Sequence, residues 1–192
     1  MPAGAEWLPV VSVLIVYGAR MAEVRAKRDT VPGPVRETWT FRLFMLAGAG
    51  MVLGGLTENF LLRPTADWLL FALGWACALG SFAIRRRAIA ALGRFWSLHV
   101  EIRESHKFVQ SGPFRWMRHP TYFSMILELL CAAFFLQGWW SLAAALVVFI
   151  PTMIVRVRTE EEALVAKFGE DYRAYQRSTP AVLPYKLPRR QP

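Results

Sequence analysis

Two short stretches of this chain bring together residue types that do chemistry. The first is Ser111-Gly112-Pro113-Phe114-Arg115-Trp116-Met117-Arg118-His119-Pro120-Thr121-Tyr122. Pro120 suits the first turn of a helix, where its missing N–H is no loss and its fixed φ is already helical. The free N–H groups of such a helix start, with Arg118 and His119 beside them, form a site for a carboxylate or phosphate. The same residues would also serve as a membrane-entry cap with a snorkelling arginine. The second stretch is Arg156-Val157-Arg158-Thr159-Glu160-Glu161-Glu162. Arg156 and Glu160 share a helix face, as do Arg158 and Glu162. In water each such pair contributes only ~0.3–0.5 kcal/mol, so stability alone is a weak reason for them.

Glu128 is the third candidate. It follows Pro120 by roughly 12 Å along a helix. Thr121, Ser124, Glu128 and Cys131 recur at helical spacing and line one face. A carboxylate at that depth among apolar residues is costly and by default marks a functional site. Its other reading is an ion pair with an arginine from a neighbouring helix.

The elements that must position these residues are apolar blocks. The chain has 192 residues, is 55% hydrophobic and carries a formal net charge of +9. Apolar and basic residues come in separate blocks. Five apolar blocks are read: Trp7 to Met21, Trp39 to Leu62, Asp67 to Ile84, Pro120 to Gln137, and Trp139 to Val155. Each is close to the ~20 residues a spanning helix needs. The first has no basic residues ahead of it and reads as a retained span rather than a cleavable signal. Only Gln137-Gly138 separates the fourth and fifth, so they form an antiparallel helical hairpin. In the second, Gly50 and Gly54 are a small-xxx-small pair that permits close helix approach and would allow a homodimer.

Charge orients the blocks. With five spans, 22 of the 23 Lys and Arg residues fall on one side, Arg63 being the exception. The positive-inside rule makes that side cytoplasmic, with the N-terminus outside and the C-terminus inside. Trp7, Trp68, Trp139 and Trp140 then lie at the outer rim and Trp39 at the inner one, as interface anchors. The fold class is an all-α integral membrane protein of five transmembrane helices. Its cytoplasmic pocket is built by the fourth and fifth helices, the preceding loop and the C-terminal helix. Residues 1–84 form a three-span region and 85–192 carry the chemistry.

Several classes drop out. His99, His106 and His119 do not have a metal-ligand spacing, and no metal is expected. Cys77 and Cys131 lie inside apolar blocks and read as packing residues. The chain has no G-x-G-x-x-G after a strand, no P-loop and no G-x-S-x-G elbow. Its basic charge follows from topology, so nucleic acid is not the expected partner. Membrane lipid is, because the basic loops attract anionic headgroups.

Arg118-His119-Pro120-Thr121-Tyr122, followed by Arg156-x-x-x-Glu160-Glu161 and then Leu164, Phe168-Gly169, Tyr172 and Tyr175, resembles the isoprenylcysteine carboxyl methyltransferase family. The resemblance runs from about Leu92 to Pro184. It implies a membrane O-methyltransferase that takes S-adenosyl-L-methionine at the cytoplasmic face of a bacterial inner membrane. The acceptor is then a lipophilic small molecule or lipid-modified group bearing a carboxylate or hydroxyl. By position, the family's cofactor contacts fall on His106, Lys107, Phe108, Val109, Phe114, His119, Pro120, Thr121, Tyr122, Glu160 and Glu161. Arg156 matches the arginine near the acceptor. Phe114 stands where tyrosine is usual, and Ser124 where glycine is frequent. Glu128 is more like bacterial relatives that methylate hydroxyls of phenolic or pyrone lipids. The catalytic set expected is Arg156, Glu128 and Tyr122.

The residues fit that cofactor. His119 at the helix start suits its carboxylate, Glu160 its ammonium or ribose, and Phe108 and Phe114 its adenine. A carboxylate acceptor needs only Arg156 to hold it. A hydroxyl acceptor also needs a base, for which a buried Glu128 would serve. Three rivals differ in kind: a phospholipid N-methyltransferase, a sterol-reductase-type enzyme using NADPH, and a non-catalytic membrane scaffold or transporter.

Overall fold

The computed structural model describes residues 7–26, 39–62, 64–65, 67–93 and 109–186. Every regular element among them is helical. Helix α1 is Leu8–Arg25, α2 Trp39–Leu62, α3 Trp68–Leu92, α4 Pro120–Leu136 and α5 Trp139–Ser178, with a 3-10 turn at Gly112–Arg115 ahead of α4.

Local chemistry sets the helix ends. Asp67 caps α3, accepting from the N–H of Leu69 at 2.7 Å and of Leu70 at 3.3 Å; such a cap satisfies donors the helix cannot. Pro9 and Pro120 sit in the first turns of α1 and α4, where proline is tolerated. Gln137 ends α4 in the left-handed conformation, φ 52°, and Gly138 leads straight into α5. A Cβ on Gly138 would lie 2.8 Å from Cα of Gly55. The hairpin tip therefore rests backbone to backbone on α2, which only glycine permits.

Three helices, α2, α3 and α5, are long and apolar enough to cross a membrane, and α4 is a shorter apolar helix. The five expected blocks are thus five helices, three of which run further than expected. Helix α1 continues past Met21 to Arg25. Helix α3 continues past Ile84 through Arg85–Arg87 to Leu92, and α5 continues past Val155 to Ser178. Both go on as helix because nothing in Arg-Arg-Arg-Ala-Ile-Ala or Glu-Glu-Glu-Ala-Leu opposes helical φ/ψ. Gly169 breaks the φ/ψ pattern of α5 at φ 56°.

Helix α4 is the centre of the bundle. One side packs with α2 and α5 through Phe44, Met51, Tyr122, Leu129, Ala145 and Phe149. The other packs with α1 and α3 through Val13, Val16, Ala78, Cys131, Phe135 and Leu136. Most of its length is buried, whereas α2, α3 and α5 turn Leu53, Leu69, Leu79 and Val147 outward. Apolar residues facing outward are what a lipid solvent requires. Of the expected glycine pair, Gly54 makes a close approach, to Ser141 of α5, and Gly50 has nothing within 4 Å.

The helices alternate in direction. Asn59 of α2 donates to the Leu136 carbonyl at 3.2 Å, and Glu58 accepts from Ser141 N–H at 2.5 Å. At the opposite end, Thr40 of α2 meets Arg156 of α5. Arg118, His119, Tyr122, Glu160 and Glu161 collect with Arg156 at that second end.

Candidate active site

Pro120 opens α4, and His119 stands just outside it as the N-cap residue, buried at 6% exposure. Its ring lies between two consecutive carboxylates on α5. Nδ1 is 3.2 Å from Glu160 and Nε2 3.1 Å from Glu161. The Tyr122 hydroxyl donates to Glu160 from one turn further along α4. Arg156, one turn before Glu160 on α5, donates to the same carboxylate through Nε at 3.3 Å. Glu160 therefore gathers an imidazole, a phenol and a guanidinium. The His119 and Tyr122 rings stack with centroids 5.6 Å apart.

Arg118 fixes the second carboxylate. Its Nε donates to Glu161 at 2.6 Å, and Gln176 donates to the other oxygen of Glu161 at 2.9 Å. The guanidinium also donates to the carbonyls of Gln176, at 3.0 Å, and Thr179. The backbone N–H groups of Arg118 and His119 donate to the carbonyls of Pro180 and Ala181, each at 2.9 Å. Tyr175 donates to the Phe114 carbonyl at 2.5 Å. The chain beyond the Gly169 bend thus returns to seal the start of α4.

Charge and burial act against each other in this cluster. Burial alone would drive His119 towards its neutral form, but Glu160 and Glu161 raise its pKa above the ordinary 6.5. Burial would raise both carboxylates. His119, Arg156 and Tyr122 instead hold Glu160 below its usual value, and His119 with Arg118 bring Glu161 down to about 2. Burial would lower Arg156, yet Tyr122 and Glu160 raise it. Opposite charges and hydrogen bonds to the charged forms are the cause in each case. Two arginines and a histidine face two glutamates, so a protonated cluster has one positive charge to spare.

Helix α2 supplies residues that the sequence did not single out. Thr40 is fully buried and accepts from Nη1 of Arg156 at 3.0 Å. Phe44, one turn on, lies 5.9 Å from the same guanidinium and packs on Tyr122 and Phe149. One buried threonine in an apolar helix has no periodic or compositional signature.

The structure brings Arg156, Tyr122, His119, Pro120 and Glu160 together, with Glu161 on the outer side of His119. Phe114 is buried in the 3-10 turn beside them, and Val109 and Thr121 are half-buried. His99, His106, Lys107 and Phe108 lie outside the described residues. The expected anion site at the helix start is met by the protein's own Glu160 and Glu161. A groove of about 380 Å³, lined by Arg158, Glu161, Glu162, Val165, Ala166 and Gln176, adjoins it.

Glu128 is the departure. It faces α1 and α3, where Arg20 donates to it and Ser81 donates at 2.6 Å. Arg20 also binds Ser81 at 3.1 Å and pairs with Glu23. The Tyr17 hydroxyl donates to the Glu128 carbonyl at 3.3 Å. Tyr122, by contrast, packs among residues of α2 and α5. Glu128 follows Tyr122 by a turn and two-thirds of helix, which places the two on different faces. The structure thus pairs Glu128 with Arg20 and Ser81, away from the Glu160 cluster.

A bundle with outward apolar faces and a largely buried ionic cluster at one end has the character of an integral membrane protein with a polar candidate site. The model of the isoprenylcysteine carboxyl methyltransferase (ICMT) family matches residues 72–166. That span runs from α3 through Tyr122 and Arg156 to just past Glu161. Protein YpbQ of Bacillus subtilis, named as uncharacterized, is 25% identical over 82% of this chain and 95% of its own length. A rice protein (Oryza sativa subsp. indica) named as a probable protein-S-isoprenylcysteine O-methyltransferase is 24% identical over 96% of this chain and 99% of its own. Protein-S-isoprenylcysteine O-methyltransferase of Schizosaccharomyces pombe is 30% identical over 59% of this chain and 48% of its own. Residues 72–166 thus match the isoprenylcysteine carboxyl methyltransferase family, and the names of the relatives point to the class of O-methyltransferases.

Proposed function

We propose that the Glu160 cluster transfers a methyl group from S-adenosyl-L-methionine to the carboxylate of a lipophilic acceptor that reaches it from the bilayer. The observation that carries this reading is the part-buried Arg156–Glu160–Tyr122 contact, set where an apolar bundle opens to a charged end. The donor set suits the cofactor. Its ammonium and ribose call for a carboxylate such as Glu160, and its own carboxylate calls for cations such as His119 and Arg118. Bound there, S-adenosyl-L-methionine supplies an electrophilic methyl group.

The protein's part is chiefly positioning, since holding two reactants in line removes much of the entropic barrier. Tyr122 and His119 orient Glu160, while Arg156 offers a fixed cation to an anionic acceptor. A carboxylate acceptor arrives ionised and needs no base. Pairing of Glu128 with Arg20 favours that acceptor over a neutral hydroxyl. The name of the Schizosaccharomyces pombe relative, which specifies an isoprenylcysteine, points the same way. Gathering of basic residues at the cluster's end supports a cytoplasmic mouth in a bacterial inner membrane, with the N-terminus outside.

Membranes containing the protein, incubated with methyl-labelled cofactor and extracted, test the reading. Expected is label in lipid that mild alkali releases as methanol, the mark of a methyl ester. Label in an amine headgroup would instead establish N-methylation, and label stable to alkali an ether.

A further inference from the structure

We propose that Thr40 and Phe44 of α2 select a carboxylate acceptor by fixing the guanidinium of Arg156. This rests on the proposed reaction and goes beyond it. It places acceptor recognition partly outside residues 72–166, the stretch matched by the family model.

Arg156 is 4% exposed and is held on several sides. Glu160 takes Nε at 3.3 Å and Thr40 takes Nη1 at 3.0 Å. The ring of Phe44 lies 5.9 Å from the guanidinium carbon. A guanidinium is a planar fork that matches a carboxylate in two parallel hydrogen bonds, but only in a set orientation. The pair with Glu160 comes from its own helix, and Tyr122 of α4 shares a hydrogen bond with the same guanidinium. Thr40, from α2 and fully buried, holds Nη1 from a third helix and so adds to the restraint on the guanidinium plane.

Phe44 adds a cation–π contact and also packs on Tyr122, with centroids 5.8 Å apart. It thereby joins the acceptor side of the cluster to the side that holds His119. Thr40 and Phe44 are one helical turn apart on α2 and present one surface to α5. An aliphatic residue at position 40 would leave an arginine donor buried without this partner. Serine would preserve the contact. Thr40 is thus a positioning residue acting through Arg156.

The test uses N-acetyl-S-farnesyl-L-cysteine, an isoprenoid thioether with a free carboxylate, as acceptor for the purified full-length protein. Steady-state KM and kcat are measured, together with the thermal shift that the acid alone induces in detergent. Thr40→Val is expected to raise the acceptor KM about tenfold, as for a lost hydrogen bond to a charged group. It should leave the KM for S-adenosyl-L-methionine within about twofold and abolish most of the acid-induced shift. Thr40→Ser should restore both acceptor readouts. Phe44→Leu, which keeps the position apolar without the ring, should raise the acceptor KM about threefold, as for one lost cation–π contact.

The proposal is overturned if Thr40→Val leaves acceptor KM and shift unchanged, raises both KM values together, or is not rescued by serine. A wild-type protein that neither binds nor methylates the acid overturns this inference too. One that binds the acid in a Thr40-dependent way but transfers no methyl group overturns only the proposed reaction.

Discussion

The hydroxyl of Tyr122 donates to the carboxylate of Glu160 across the mouth of the α4–α5 hairpin. Glu160 also takes Arg156 from its own helix and stands 3.2 Å from His119. One carboxylate thus joins both halves of the hairpin at the point where chemistry is proposed. Glu160→Gln keeps the shape and removes the charge. Methyl transfer is expected to fall about a hundredfold, within the range seen when electrostatic positioning groups are removed. Stability should drop by about 3 kcal/mol, because the buried Arg156 loses its counter-charge. Initial rates and unfolding in detergent check the two effects separately.

Glu128→Gln should do the reverse. Glutamine can still accept from Ser81 and Arg20, but the ion pair to Arg20 is lost. Stability is expected to fall by about 2 kcal/mol, the scale of a hydrogen-bonded charge. Turnover at saturating cofactor and acceptor should stay within about threefold, since this residue faces α1 and α3. A hundredfold loss of turnover in a well-folded variant would restore Glu128 to the reaction.

Stability should depend on pH through the His119 trio. The raised pKa of His119 stabilises the fold fully below its ordinary 6.5, and that contribution is lost as pH rises through the raised value. The lowered pKa values of Glu160 and Glu161 contribute fully above the ordinary 4.5 and are lost as pH falls, for Glu161 towards about 2. The melting temperature in detergent should therefore be highest between pH 4.5 and 6.5, as far as these groups determine it. His119→Gln should remove the alkaline limb while leaving Glu161 paired with Arg118 on the acid side.

Gly138→Ala tests the hairpin tip. The new methyl would lie 2.8 Å from Cα of Gly55, and backbone cannot yield as a side chain can. Forcing the tip away from α2 is expected to cost about 1–3 kcal/mol. Gly50→Ala, with nothing within 4 Å, should be close to neutral. Thermal unfolding of the two variants side by side gives the answer.

Helix positions were legible because lipid demands long apolar runs and Gln137-Gly138 leaves room only for a hairpin. His119, Tyr122, Arg156 and Glu160 were legible as a group because a two-residue connection brings the start of the fourth block beside the end of the fifth. Other features were hidden for physical reasons. Arg20 reads as one more basic residue near a span end, yet it is 4% exposed and bound to Glu128. Its partner could be named only as some arginine, since pairing between helices leaves no trace in spacing. Thr40 was silent for the same cause. The return of residues 179–181 onto the start of α4 depends on carbonyls, which every residue has.

That return has a consequence for assembly. The backbone of Arg118 and His119 is completed by Pro180 and Ala181, while Arg156 is completed by Thr40 near the start of α2. As the ribosome feeds the chain into the bilayer, α2, α3 and α4 emerge before most of the site's partners exist. The spans can be threaded in order, each satisfied by its own backbone bonds and by lipid. The Arg118–His119 side of the proposed site cannot, because its backbone N–H groups meet Pro180 and Ala181 only when the segment beyond α5 folds back. A growing chain is thus a membrane protein well before its proposed site is complete.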